Sequence, residues 1–530
     1  MSMCDPSRRV ALLAGLCASV AGCGSAGCSS HGGNMQQPPP PGDGTGGSGS
    51  DGGIVVVDDG GVPDAPMAPP PIDGGPVPVG TLRVDPMNHR YFTAGHGAIY
   101  LTGSHTWANF KDRAKNDPPT PFNYDAYLDF LVAHRHNFFR LWTWEQPHSA
   151  DDDDRAHPFF FSPFPWLRTG TGTASDGKPA FDLTKVNDDY YTRLKDRVTK
   201  AHDRGIYVAV MLFDGWDLSN AYNTTGGFPM ATGNNVNGVK ISPNSPTDYF
   251  ALSGGQISAQ QQDYVRRVIT AVNDLDNVVY EVANETLSGA VPWQNAVIKF
   301  VRDTEASMPK THPVGMTSAF PGNDSDLMNS TADWISPNDA RATSDGTKVV
   351  FNDTDHSFGW TDLQRALPAG QRAWAWETLC RGAQPMFMDP YLEPWLVHND
   401  PFPVRNNPQN GIVDPQWDTI RAALGWTQLY ASKLDLERAV PSPALCSTGF
   451  CLAEPGHQYL VYQPPTPVST SFTVSVVAGT YRFEWFDPAA GKPVAQPAGS
   501  GTITLPTGQH TFTVPSGLGD TDAVLLLLSP

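Results

Sequence analysis

The sequence predicts an α/β chain, with a (β/α)8 barrel over 81–437 followed by a small antiparallel β-sandwich over 438–530. Between about 81 and 437, apolar runs of strand length alternate with amphipathic helical stretches. Several of those runs are apolar almost without interruption, as strands covered by helices on both faces must be. After about 438 the pattern shifts to short alternating segments broken by Pro and Gly, the mark of antiparallel sheets.

At the N-terminus, Arg8 and Arg9 precede an apolar run over 10–21 that is too short to span a membrane as a permanent helix. The run ends in Val20-Ala21-Gly22-Cys23, which resembles a bacterial lipobox. Residues 1–23 are therefore expected to be a lipoprotein signal peptide with Cys23 lipidated; the alternative is an ordinary cleaved signal. From 24 to 80 the chain is Gly, Pro, Ser and Asp with almost no aromatics, so it is expected to be a disordered tether. The protein is thus expected to be exported, held at the outer membrane or cell surface by its lipid alone, or else secreted.

In the barrel region, 98–103 is the candidate first strand, leading to His105 and Trp107. Helical spacing over 124–136 is followed by a strand at 137–142. The stretch 188–204 predicts an amphipathic helix with Tyr191, Leu194, Val198 and Ala201 on one face, ended by Gly205 as a C-cap. A nearly continuous apolar strand then fills 206–213. Helix 259–275, strand 277–282, helix 293–307 and strand 313–317 continue the series. Further strands fall at 334–335, 349–351 and 385–388, with a closing helix over 417–434. Eight strand–helix units favour a closed barrel over an open sheet, and no Gly-rich phosphate loop follows the first strand. The sandwich strands are expected near 458–462, 471–476, 481–485 and 511–514.

The net charge of -19 disfavours binding to nucleic acid or other anionic polymers through a basic surface. The acidic run 151–154 is a solvated loop in this reading. Of seven cysteines, four precede the barrel. Cys446 and Cys451 are close enough in sequence to pair in an oxidising compartment. Cys380, among Trp374, Trp376 and Leu379, is expected to be an inert buried thiol. No spacing suggests zinc, and neither metal nor cofactor is expected. The chain is expected to be a monomer.

Function in such barrels collects at the C-terminal ends of the strands. The polar residues there are His105, Arg140, Glu145, Asp214, Asn284 and Glu285, then Asn338, Asp339, Asp353, Asp355, His356 and Asp389. Trp107, Trp142, Trp144, Trp216, Trp360 and Tyr391 interleave with them. Sugar rings pack their C–H faces on aromatics and present hydroxyls to acids and amides. Such a cleft suits a carbohydrate better than a lipid or peptide.

The stretch Asn277-Val-Val-Tyr-Glu-Val-Ala-Asn-Glu285 resembles the fourth-strand signature of the large clan of retaining (β/α)8 glycosidases that includes cellulase-like enzymes. The segments Asn352-Asp-Thr-Asp-His356 and Arg381-Gly-Ala-Gln-Pro-Met-Phe-Met-Asp-Pro-Tyr391 resemble a cellulase-like subgroup to which apiosidase-like enzymes are related. The stretch 481–488, ending Trp485-Phe-Asp-Pro488, is similar to a C-terminal module labelled collagen-binding that members of this subgroup often carry. The resemblance spans nearly everything after residue 80.

It implies that Asn284 orders a sugar 2-hydroxyl and that Glu285 is the acid/base, kept protonated by a tryptophan wall and a neighbouring carboxylate. The clan usually places a Glu at the end of the seventh strand. This chain offers instead Asp353 and Asp355, which strand alternation would put on one side. Asp355 is preferred as nucleophile or base, Asp353 stands as the alternative, and His356 orients whichever acts. The substrate site is expected to include Asn284, His105, Trp107, Arg140, Trp142, Trp144, Asp214, Trp216, Asn338, His356 and Asp389. Arg140 is also expected to pair inward with an acid, and Glu281 to make structural hydrogen bonds deeper in the barrel.

The expected function is hydrolysis of O-glycosidic bonds in a polysaccharide or oligosaccharide by two carboxylates. A separation of about 5–5.5 Å gives retention, as the resemblance implies, and roughly 6.5–9.5 Å gives inversion. The alternative is a non-catalytic surface lipoprotein that captures glycan. No His-Glu-x-x-His motif or Ser/His/Asp order supports proteolysis.

Overall fold

A computed structural model describes residues 80–149, 159–215, 218, 227–242, 246–319, 322–356, 368–389, 391, 417–467, 469–518 and 522–530. The expected signal peptide, Cys23 and the tether up to residue 79 lie outside these residues, as do Trp216 and Trp360.

The chain folds as a (β/α)8 barrel followed by antiparallel sheets. The barrel strands are β1 (Gly103–His105), β2 (Phe138–Leu141), β3 (Tyr207–Asp214), β4 (Val278–Asn284), β5 (Val314–Thr317), β6 (Trp334–Ser336), β7 (Val349–Asp353) and β8 (Gln384–Met388). All neighbours pair in parallel, from β2 through β3 and onward to β8, which pairs with β1. The ring closes between β1 and β2. There Asn137 N–H donates to the Thr102 carbonyl at 3.0 Å, and Thr102 N–H donates to Asn137 Oδ1 at 2.9 Å.

The connecting helices are α1 (Tyr124–Ala133), α2 (Asp188–His202), α3 (Ala259–Val272), α4 (Val291–Glu305), α5 (Asp324–Met328), α6 (Pro368–Cys380) and α7 (Asp418–Ala431). α3 begins at a capping box, with Ser258 and Gln261 satisfying each other's backbone N–H groups. α2 gives way to Gly205, whose φ of 73° is a left-handed value that glycine tolerates.

 Its buried face carries Tyr190, Leu194, Val198 and Ala201, while Tyr191, expected on that face, is half-buried and packs against the same core.

Two expectations for this region need correction. The segment 98–103 is not the first barrel strand. Ala98–Ile99 pairs instead in a small antiparallel sheet with Phe92–Thr93, and β1 begins at Gly103. Side chains rather than a ladder satisfy the intervening backbone: Leu101 N–H donates to Gln384 Oε1 at 2.7 Å, as Thr102 N–H does to Asn137. The sixth strand–helix unit has no helix, since 337–348 runs from β6 to β7 as turns and loop.

All eight residues of β3 are buried, because both faces are covered. Val208, Val210 and Leu212 join the layer between strands and helices, whereas Tyr207 and Ala209 join the barrel interior with Phe138, Val279, Trp334 and Phe351. Room for the Trp334 indole comes from Gly315 on β5: a Cβ there would lie 1.9 Å from Trp334 Cε2. Gly315→Ala is therefore expected to lower stability by about 1–3 kcal/mol or more through overpacking. Thermal melting would check this, and an unchanged Tm would contradict it.

The C-terminal region contains β9 (Cys451–Glu454), β10 (Gln458–Gln463), β11 (Ser471–Val476), β12 (Gly479–Asp487), β13 (Ser500–Leu505), β14 (Gly508–Thr513) and β15 (Ala523–Leu528). β15 is central, pairing antiparallel with both β10 and β12. β11 and β14 form a second, two-stranded sheet. Leu525 and Leu527 face a core with Tyr459, Val461, Phe472 and Trp485. Val524 and Leu526 point the other way, with Leu460, Tyr462 and Phe486, onto Trp376 of α6 and Trp426 and Tyr430 of α7. The apolar run of β15 reflects burial on both faces. Cys446 and Cys451 carry free thiols, and Cys380 is a buried thiol whose ionisation burial opposes.

Candidate active site

The acids at the strand ends are organised around one guanidinium. Arg140, on β2, is fully buried. Its Nε and Nη2 donate to Glu281 of β4 at 2.6 and 2.8 Å, and its Nη1 forms an ion pair with Asp353 Oδ2 of β7 at 2.9 Å. Thr317, the last residue of β5, donates to Glu281 Oε1 at 2.6 Å. His105, the last residue of β1, lies with Nε2 3.2 Å from Asp353 Oδ1. The network therefore joins five strands across the barrel and fixes the carboxylates of Glu281 and Asp353. Charge-assisted bonds of this kind offset the cost of burying the ions.

Aromatic rings pack on this network. The Trp142 ring stacks on His105 at 5.3 Å between centroids, and the Arg140 guanidinium carbon lies 5.0 Å from it. Trp107 meets Trp142 edge-on at 6.0 Å and is half-buried. The Trp142 indole donates to Asp214 Oδ2 at 3.1 Å. Burial is the main cause holding the His105 imidazole below its ordinary pKa, against the opposing pull of Asp353.

Asn284 is the last residue of β4, in register with Asp214, the last of β3. Glu285 follows it directly and is 6 % exposed. Asp353 ends β7, three strands around the barrel from β4. The strand stops there, so alternation does not extend to Asp355, contrary to expectation. Asp355 lies in a 3-10 turn, Thr354–His356, half-buried, and its N–H donates to Asp353 Oδ1 at 2.9 Å. The side chain of His356 lies outside the described residues.

Three residues expected to line the substrate site are engaged elsewhere. The Asp389 carboxylate accepts from Arg421 of α7 at 2.6 and 2.7 Å in a fully buried pair, which ties β8 to that helix. The Asn338 side chain donates to Asp324 Oδ1 at 3.2 Å. Trp144 stacks on Phe161 at 5.0 Å within the hydrophobic core. Thr317 was not among the expected residues, although its place at a strand end is the same signal that singled out the others. Among the described residues, no group of three or more His, Cys, Asp or Glu side chains is arranged to hold a metal ion.

A small recess beside this network is lined by Lys111, Trp144, Glu145, Phe164, Tyr190 and Tyr249, among others. The Lys111 ammonium lies 3.5 Å from the Phe164 ring centroid. Burial raises the Glu145 carboxyl to a pKa of about 8, although Tyr249 and the Asp214 N–H both hydrogen-bond it. A carboxyl raised on folding binds its proton more tightly in the folded state. Its contribution to stability is therefore fully present below the ordinary carboxylate pKa of about 4.3 and is lost as pH rises to about 8. Glu145→Gln is expected to flatten this decline in Tm measured between pH 5 and 8; an identical slope in the variant would contradict it.

The fold defines a class, the (β/α)8 barrels. Among solved structures, a family 5 glycoside hydrolase from Bacteroides vulgatus is similar at 12% identity and a TM-score of 0.55, over 87% of this chain and 95% of that one. Another structure, described as a glycoside hydrolase, is similar at 12% identity and a TM-score of 0.54, over 87% and 98% respectively. At these identities the likeness shows a shared fold. A family model described as a domain of unknown function (DUF6298) matches residues 148–333. No curated protein sequence matches the chain.

Proposed function

We propose that the protein is a glycoside hydrolase acting on a polysaccharide or oligosaccharide, with Glu285 as the acid and Asp355 as the second carboxylate. The observation that carries this reading is the position of Glu285, just past Asn284 at the end of β4, with the Asp353–Asp355 pair three strands away at the end of β7. Glu285 protonates the leaving oxygen. The second carboxylate attacks the anomeric carbon, or activates water if the reaction inverts. Asp353 has both oxygens engaged, by His105 and the Asp355 N–H on one and Arg140 on the other, which supports an anchoring role. Asp355 is partly exposed, which favours it for contact with sugar. The partly exposed Trp107 supplies a further substrate contact in this reading, with Asn284, Trp142 and Asp214 buried behind the site.

The test is release of reducing sugar from a panel of plant and microbial polysaccharides. Glu285→Gln is expected to cut release by about 10²–10⁴-fold, the range for loss of a general acid, while retention on an affinity gel persists. Asp355→Asn is expected to lose turnover at unchanged Tm, and Asp353→Asn to lose turnover and Tm together. Proton NMR of the first-formed product anomer distinguishes retention from inversion. Capture of glycan without release by the wild type would instead support the non-catalytic binding reading, which the lack of a Glu at the end of β7 favours.

The proposal extends to the cellulase-like, apiosidase-like subgroup, and to export of a monomer anchored through Cys23. Palmitate labelling lost in Cys23→Ser checks the anchor.

A further inference from the structure

Glu285 has a φ of +37°, one of three non-glycine residues with positive φ among the described residues. An L-residue adopts this backbone only where its surroundings impose it. Two surroundings do so here. Gly215, the residue after β3, lies against the peptides on both sides of Glu285. A Cβ at Gly215 would stand 2.4 Å from the Asn284 carbonyl oxygen and 2.6 Å from Thr286 N and Cα. These are backbone atoms and cannot rotate away. Gly215 is itself held close, because Asp214 is in register with Asn284 and its N–H donates to Glu145 Oε1 at 3.1 Å. On the far side, Thr286 is fully buried, and its hydroxyl accepts from Gln294 of α4 at 2.8 Å. The turn carrying Glu285 is thus gripped between the end of β3 and α4. No positive φ marks Gly215, so the position calls for the missing side chain rather than for glycine's freedom of backbone.

We infer that Gly215 is a positioning residue for Glu285: the space it leaves lets the end of β4 turn through left-handed backbone, and the Thr286–Gln294 bond holds that turn. This rests on the reading of Glu285 as the acid. Any side chain at 215 pushes the 284–286 backbone away and redirects the carboxyl, without removing a group that touches substrate.

The test compares wild type, Gly215→Ala and Gln294→Leu on phenyl and 2,4-dinitrophenyl glycosides of the sugar that the wild type releases. A phenolate leaving group needs protonation, whereas dinitrophenolate does not. Gly215→Ala is expected to lose at least about 100-fold in kcat on the phenyl glycoside but less than about tenfold on the dinitrophenyl one, with KM little changed. Equal losses on both, or none on either, would overturn the inference. If Gly215→Ala does not fold, Gln294→Leu decides by the same split at smaller amplitude. A second readout needs no turnover: carbon-13 NMR titration of the Glu285 carboxyl, assigned by difference from Glu285→Gln. Its midpoint is expected to move by at least about half a unit in Gly215→Ala, a threefold change in proton affinity; an unmoved midpoint counts against the inference. A wild type that releases no sugar would defeat the hydrolase reading alone, and the titration would still decide the role of Gly215.

Discussion

Replacing Arg140 with methionine is expected to destabilise the protein by about 3–5 kcal/mol, the usual consequence of stripping one partner from a buried ion pair, and to abolish turnover. Arg140 is the counter-charge for two carboxylates at once, Glu281 and Asp353, and all three side chains are inaccessible to solvent. The same carboxylates hold the guanidinium ionised against the opposing effect of burial. Methionine fills part of the volume but leaves both acids without compensation. Chemical denaturation would measure the loss. Adding Glu281→Gln and Asp353→Asn to the variant is expected to recover part of the stability and none of the activity. No recovery in the triple variant would mean that packing, rather than charge, dominates the site.

The second large effect concerns the C-terminal sheets. A chain ending at residue 437 is expected to be insoluble or unfolded, because it would expose the apolar faces of α6 and α7. Trp376, Trp426 and Tyr430 pack there against Leu460, Tyr462, Phe486 and Leu526. The buried Arg372 guanidinium, which donates to both oxygens of Asp522 at 3.0 Å, would be left without its partner. Expression and size-exclusion chromatography of the truncated chain are the check. A soluble, monodisperse barrel with a cooperative melt would show that the sheets are dispensable to its folding.

Much of the barrel is legible in sequence because burial writes itself as period. The apolar run of β3 and the helical spacing of α2 and α3 reflect which faces are covered. The expected strand 277–282 stops two residues short of the end of β4 at Asn284, yet it still leaves Glu285 just beyond the strand. What sequence does not reveal depends on partners far away in the chain. The first strand is displaced because Gln384 and Asn137, distant in sequence, supply the hydrogen bonds that a ladder would have made. Trp144 resembles a sugar platform until Phe161 covers it. Asp389 resembles a substrate ligand until Arg421, a helix later, takes its carboxylate. The separate places of Asp353 and Asp355 follow from a strand that ends between them, and no residue type marks that end.

The position of β15 has a consequence for how the protein is made. The strand at the heart of the C-terminal sheet is synthesised well after α6 and α7, and one of its faces packs on both helices. Vectorial synthesis normally lets N-terminal regions fold first. Here the earlier-made portion keeps a greasy flank uncovered until residues 523–528 have been made. Nascent chains must therefore be shielded over that interval, and a stop before this strand would yield material suited to degradation rather than a shortened working protein.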